Sequence, residues 1–164
     1  MPAPFSRMID IDVGRQTLTL LEEGSPRVTY SVSTGANGTG ERANSGCTPL
    51  GRHRVRIKIG DGVPKNSVFV GRRSTGEIYS PELAAQFPER DWILTRILWL
   101  TGAEPGRNRG RAVDTLRRYI YIHGAPRSEP LGTPASHGCI RMRNTDIIEL
   151  FPLVNPGMSV NIHL

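Results

Sequence analysis

Cys139 sits in the run Ser136-His137-Gly138-Cys139-Ile140-Arg141, and a second histidine, His123, followed by Gly124, lies 16 residues upstream of the thiol. A thiol close to imidazole is the side-chain pair of nucleophilic acyl transfer. The thiolate attacks a carbonyl carbon, and the imidazole takes and returns the proton. Gly138 removes a side chain just ahead of the sulfur, which lets backbone N–H groups approach a reacting carbonyl oxygen. Arg127, Arg141 and Arg143 bring guanidinium forks of the kind that hold carboxylates. Taken alone, a His-Gly-Cys tripeptide more often describes an inert buried thiol beside a histidine bonded to a backbone carbonyl. The fold decides between the two by bringing residues 123 and 139 together or keeping them apart.

Two rival chemistries use overlapping residues. His123, His137, Cys139 and Cys47 offer four metal-ligand types, but the C-x-x-C and H-x-x-x-H spacings of metal sites are missing, so no metal and no cofactor is expected. Arg107, Arg109, Arg111, Arg117 and Arg118 form a basic cluster, yet it lies in glycine-rich sequence without interleaved aromatics. It matches no nucleic-acid motif, and no nucleic-acid partner is expected. Cys47, His53 and His163 are read as bystanders, Cys47 in a polar loop, His53 at a basic strand edge and His163 at the chain end.

The 164 residues suffice for one domain with a modest core, and the 37% hydrophobic and 22% charged content excludes general disorder. Eighteen glycines and thirteen prolines predict many turns and few long helices, hence a β-rich class. The net charge of +6, carried mainly by arginine, suits a ligand bearing carboxylates or phosphates. The opening MPAPFSRMIDIDVG carries no cationic and apolar leader pattern and no stretch is apolar enough to span a membrane. That predicts a cytoplasmic protein with no membrane partner, or a periplasmic one if a leader has been removed.

The elements that must hold the thiol and imidazole read as follows. Met8 to Leu21 alternates apolar and polar residues on both sides of Gly14-Arg15 and predicts a hairpin. Val28 to Ser33 is a third strand, and Thr34 to Cys47 a mobile polar loop. After the turn Thr48 to Gly51, Arg54 to Ile59 alternates with Val55, Ile57 and Ile59 on one face. Val68 to Val70 and Ile78-Tyr79 are short strands, and Ile93 to Leu100 reads as a strand on its glycine and proline punctuation. Ala103 to Asp114 is loop, and Tyr119 to Ile122 is a strand ending at His123. Asn144 or Thr145 caps a short helix with Asp146 in its first turn, and Ser159 to His163 is the last strand.

At the motif residues the sequence resembles the L,D-transpeptidase catalytic domain, or YkuD domain, family. Its pattern is a histidine, a spacer, then Ser/Thr-His-Gly-Cys, a hydrophobic residue and Asn or Arg. Here this is His123 followed by Ser136-His137-Gly138-Cys139-Ile140-Arg141. The Thr48-Pro49-Leu50-Gly51 turn and the strand from Gly157 to Ile162 also fit, so the resemblance covers nearly the whole chain. The twelve-residue spacer between His123 and Ser136 is short, implying a reduced lid, and Arg141 stands where several members carry Asn.

The resemblance implies a mainly β domain of two packed mixed sheets with a few short helices, and action on peptidoglycan stem tetrapeptides. Cys139 would be the nucleophile and His123 the base, oriented by the carbonyl of Gly124. His137 would help position the thiol or the anion, and the backbone around Gly138 and Cys139 would form the oxyanion hole. Arg141, Ser136 and Arg127 would bind substrate. In a cytoplasmic setting the acyl group would pass to water, making an L,D-carboxypeptidase of murein recycling. Transfer to an amine would make an L,D-transpeptidase.

Overall fold

The computed structural model describes residues 6–164. β1 (Arg7–Asp12) and β2 (Thr17–Glu22) form the expected hairpin, with Ile9, Ile11, Leu18 and Leu20 fully buried on its inner side. Alternation is the cause, since successive side chains leave a strand on opposite faces. β3 (Ser25–Ser33) begins earlier than Val28 because Pro26 is accommodated opposite Leu21, where the pairing with β2 shifts register and no proline N–H is required.

β4 (Gly51–Ile59) carries a bulge between Val55 and Ile57 in its pairing with the later strand β7 (Ile93–Gly102). One extra residue reverses the facing of everything beyond it. Val55 is therefore buried while Ile57 is 40% exposed, which breaks the single apolar face expected for Val55, Ile57 and Ile59. His53, expected at a basic strand edge, is buried, with its imidazole between the Gly51 carbonyl and the Thr115 hydroxyl, each at 3.0 Å.

β5 (Ser67–Val70) and β6 (Arg73–Ile78) make a hairpin longer than the two short strands expected, and α1 (Pro81–Gln86) follows it. The Ser80 hydroxyl caps α1 by accepting the Leu83 N–H at 3.1 Å. β7 is a strand, as its punctuation predicted. β8 (Tyr121–Ala125) starts later and runs further than the expected strand from Tyr119, so His123 is mid-strand. The reason is Tyr119, whose φ of 56° is left-handed and ends a turn in which its N–H bonds to Leu116 O.

β9 (Ile140–Arg143) leads directly into α2 (Asn144–Leu150), and β10 (Ser159–His163) closes the chain. Neither Asn144 nor Thr145 caps α2. The capping position is Arg143, without a side-chain bond, because the Asn144 side chain turns away to accept from Thr95 Oγ1 and donate to Asn66 Oδ1, both at 2.7 Å.

The strands form one ten-stranded sheet in the order β4-β10-β1-β2-β3-β9-β8-β7-β5-β6, and β4 also pairs with β7. That extra pairing closes the sheet into a barrel, with β5–β6 projecting from it. The two layers expected are thus opposite walls of one curled sheet. Ile122, Ile140 and Met142 point into the core with Ile147 and Leu150 of α2. Residues 34–47 are not free: Gly35 bridges to Ser136, Thr39 to Thr48, and Arg118 donates to the carbonyls of Gly40 and Cys47 at 3.2 and 2.6 Å. No helix among the described residues is long and apolar enough to cross a membrane.

Candidate active site

β8 and β9 run parallel, with His123 opposite Arg141 and Ile122 opposite Ile140. Since Ile122 and Ile140 face the core, alternation turns Tyr121, His123 and Arg141, and Cys139 just before β9, to the outer side of the wall. There Cys139 packs with Phe69, Ile97 and Tyr121 in a second apolar cluster. The imidazole and the thiol therefore share one face of two hydrogen-bonded strands, one step apart along them.

His123 is fully buried. Its Nδ1 lies 2.6 Å from the carbonyl oxygen of Gly124, which only accepts, so Nδ1 carries the proton and Nε2 is the bare acceptor. That Nε2 has no hydrogen-bond partner among the described residues. Burial holds the imidazole below its usual range, although the Gly124 carbonyl and Asp91 act the other way. Gly124 cannot be larger, because a Cβ there would collide with the Leu94 carbonyl and the Asn144 side chain.

Cys139 is half-buried. It donates to the Tyr119 carbonyl and accepts the Tyr121 N–H, both at 3.3 Å. Burial pushes the thiol up to about 12, against the pull of the Tyr121 N–H and of Arg141 and Arg118. Both shifts favour the neutral thiol and the neutral imidazole, and so work against the ionisation at neutral pH expected from the sequence.

The loop before the thiol is held by its own polar side chains. Ser136 is buried, donates to the Cys139 carbonyl at 2.5 Å and accepts the Gly138 N–H at 3.1 Å. Expected to touch substrate, it lies buried here and braces the turn that presents the sulfur. Gly138, at φ +121° and with Cys47 O 3.1 Å from any added Cβ, holds a conformation closed to larger residues. Its N–H is engaged by Ser136 and its carbonyl accepts from Thr48 at 2.9 Å, so Thr48 of the Thr-Pro-Leu-Gly turn is a brace of this loop. Cys47 contributes backbone to this packing, and its sulfur bonds to the carbonyls of Asn37 and Ser45.

Asp91 links the charged groups, although no local pattern around it marks that role. Its Oδ1 meets Arg141 Nη2 at 3.1 Å and its Oδ2 meets His137 Nδ1 at 3.3 Å. Burial would raise the Asp91 carboxyl, but His123, Arg141 and His137 outweigh it and hold the group below the usual carboxylate range. Arg141, 5% exposed, also bonds to Glu129 and to the Ala135 carbonyl. The expected substrate clamp is therefore engaged inside the wall, where it orders the spacer loop against β9. His137 stands exposed at the rim, tied among the described residues only to Asp91. Arg127 is exposed farther along, in a polar cavity of about 340 Å³ with Lys65 and Arg143. Among the described residues, no group of three or more His, Cys, Asp or Glu converges on a metal-sized point.

Comparison with known proteins agrees with this architecture. The family model of the L,D-transpeptidase catalytic domain, YkuD, matches residues 6–162. An L,D-transpeptidase from Mycobacterium smegmatis superposes with a TM-score of 0.61 at 18% identity, over 98% of this chain and 59% of that one. L,D-transpeptidase 3 from Mycobacterium tuberculosis, in complex with a faropenem-derived adduct, gives 0.59 at 18% identity, over 98% and 61%. YkuD of Bacillus subtilis (strain 168) is 40% identical over 47 residues, 29% of each chain. The chain thus spans about three fifths of the length of these structural neighbours. With the family model covering nearly every residue and the motif assembled on one strand face, the chain belongs to the L,D-transpeptidase catalytic domain family.

Proposed function

We propose that the chain catalyses cysteine-dependent acyl transfer on peptidoglycan stem tetrapeptides. Cys139 attacks the carbonyl at the L-centre of a diamino acid such as meso-diaminopimelate, and the bond to the terminal D-alanine breaks. The observation that carries this reading is the buried, unpartnered Nε2 of His123, fixed as an acceptor by Gly124 on the face that holds the sulfur. A nucleophile and a base with a third group orienting the base are the parts acyl transfer requires.

The steps follow from these atoms. The thiol turns its S–H away from the Tyr119 carbonyl by rotating about the Cβ–Sγ bond and gives its proton to His123 Nε2 as the sulfur attacks. The Tyr121 N–H stays beside the sulfur, and the Cys139 N–H donates to the oxyanion. The imidazolium, stabilised by Asp91, returns the proton to the departing D-alanine amine, leaving the tripeptide as a thioester. Water then attacks with His123 again as base, releasing the tripeptide acid and restoring the thiol. Hydrolysis needs no group beyond these, so the reading is an L,D-carboxypeptidase of murein recycling in the cytoplasm. A second reading, transfer to the amine of another stem peptide or to a D-amino acid, draws on the structural neighbours named L,D-transpeptidases.

Incubation with tetrapeptide, with and without a D-amino acid acceptor, followed by mass analysis of the products, tests this. Tripeptide from the wild type and none from Cys139→Ala supports the proposal. Exchanged or dimeric products without tripeptide move it to the second reading, and untouched tetrapeptide under both conditions overturns it.

A further inference from the structure

The β5–β6 hairpin turns through two residues, Gly71 and Arg72, since Val70 pairs with Arg73. Both are left-handed, at φ 56° and 65°, as a tight primed hairpin turn demands. Glycine or asparagine fills the second position without strain; arginine does not, and strain of this kind is a pointer to function. The Arg72 side chain folds back over the wall that carries Cys139. Its guanidinium lies 4.8 Å from the Trp99 ring centroid and 4.7 Å from that of Tyr119, and Nη1 donates to the Tyr121 hydroxyl at 3.1 Å.

These aromatics are the thiol's own neighbours. Tyr119 supplies the carbonyl that receives the thiol proton, and Tyr121 the N–H that donates to the sulfur. Arg72 is thus one tyrosine away from the nucleophile. Among the described residues it has no carboxylate partner, whereas Arg141 has two. A guanidinium has five N–H donors, and stacking on ring faces fixes its plane while leaving its edge open.

We infer that Arg72 is the carboxylate-binding residue beside Cys139 and sets specificity for an acidic group flanking the scissile bond. The inference rests on the acyl-transfer reading above. That reading supplies two such groups, the terminal carboxylate of the leaving D-alanine and the side-chain carboxylate of the diamino acid.

Three peptides separate the outcomes: the tetrapeptide, its D-alaninamide form, and the form amidated on the diamino-acid side chain. Wild type and Arg72→Asn are compared on each, asparagine being at home in the left-handed turn. Wild type is expected to lose about 10-fold in kcat/KM on one amidated peptide, the scale of a charge-assisted bond. Arg72→Asn loses the same factor on the acid and no longer distinguishes it from that amide, and the amide concerned identifies the carboxylate. If Arg72→Asn falls equally on all three peptides, or keeps the wild-type discrimination, the inference is overturned while the acyl-transfer reading stands. A wild type silent on all three peptides overturns both.

Discussion

The thiol of Cys139 donates to the carbonyl of Tyr119 at 3.3 Å while the Nε2 of His123, on the same strand face, has no partner among the described residues. Under the proposed acyl transfer the thiol proton therefore exchanges a backbone carbonyl for this imidazole nitrogen as the sulfur attacks.

The alkylation rate of the unliganded thiol reports its protonation. A free cysteine ionises near 8.5, whereas burial pushes Cys139 up to about 12. In a Cys47→Ser background, iodoacetamide labelling of Cys139 should keep rising about tenfold per pH unit from 7 to 10. A plateau below pH 9 would show a preformed thiolate.

His123→Gln should lose about 10²–10⁴ in kcat, the usual contribution of a positioned general base. The acid limb of kcat/KM should lie below the ordinary histidine value of about 6.5, because burial holds His123 low and its base form survives to lower pH. An acid limb above that value contradicts the assignment.

Asp91 acts through its neighbours, and Asp91→Asn tests that. Its charge raises His123, so its removal should move the acid limb of kcat/KM to still lower pH and reduce turnover as Arg141 and His137 lose their partner. An unmoved limb would make Asp91 a purely structural link.

Ser136→Ala should destabilise the chain by about 1–3 kcal/mol, the cost of a buried polar group left unpaired, here the Gly138 N–H and the Cys139 carbonyl. Urea denaturation measures it. A variant as stable as the wild type would mean that the loop is held without this hydroxyl.

What the sequence disclosed follows from the range of each interaction. β1, β2 and β10 were legible because their patterning is local and the buried side alternates, whereas β7, without clean alternation, was legible only from the glycine and proline punctuation around it. The β5–β6 hairpin was only partly so, since Arg73–Ile78 is mostly polar and is held by its partner strand. The Val55/Ile57 bulge arises from pairing with a strand some forty residues away, which no local pattern records.

The site divides in the same way. Cys139, His123 and Gly138 could be named from residue type and family motif. That His123 and Cys139 share a face is a matter of β8–β9 register, which is tertiary. Arg141 looked free because its partners, Asp91 and Glu129, lie 50 and 12 residues off, and Asp91 itself escaped notice for the same reason.

The most direct test is acid-quenched wild-type protein mixed with tetrapeptide, digested and weighed peptide by peptide. A tripeptide acyl mass on the fragment containing Cys139, absent from Cys139→Ala together with D-alanine release, is the predicted result. Continued D-alanine release by Cys139→Ala, or an adduct confined to Cys47, would contradict the account.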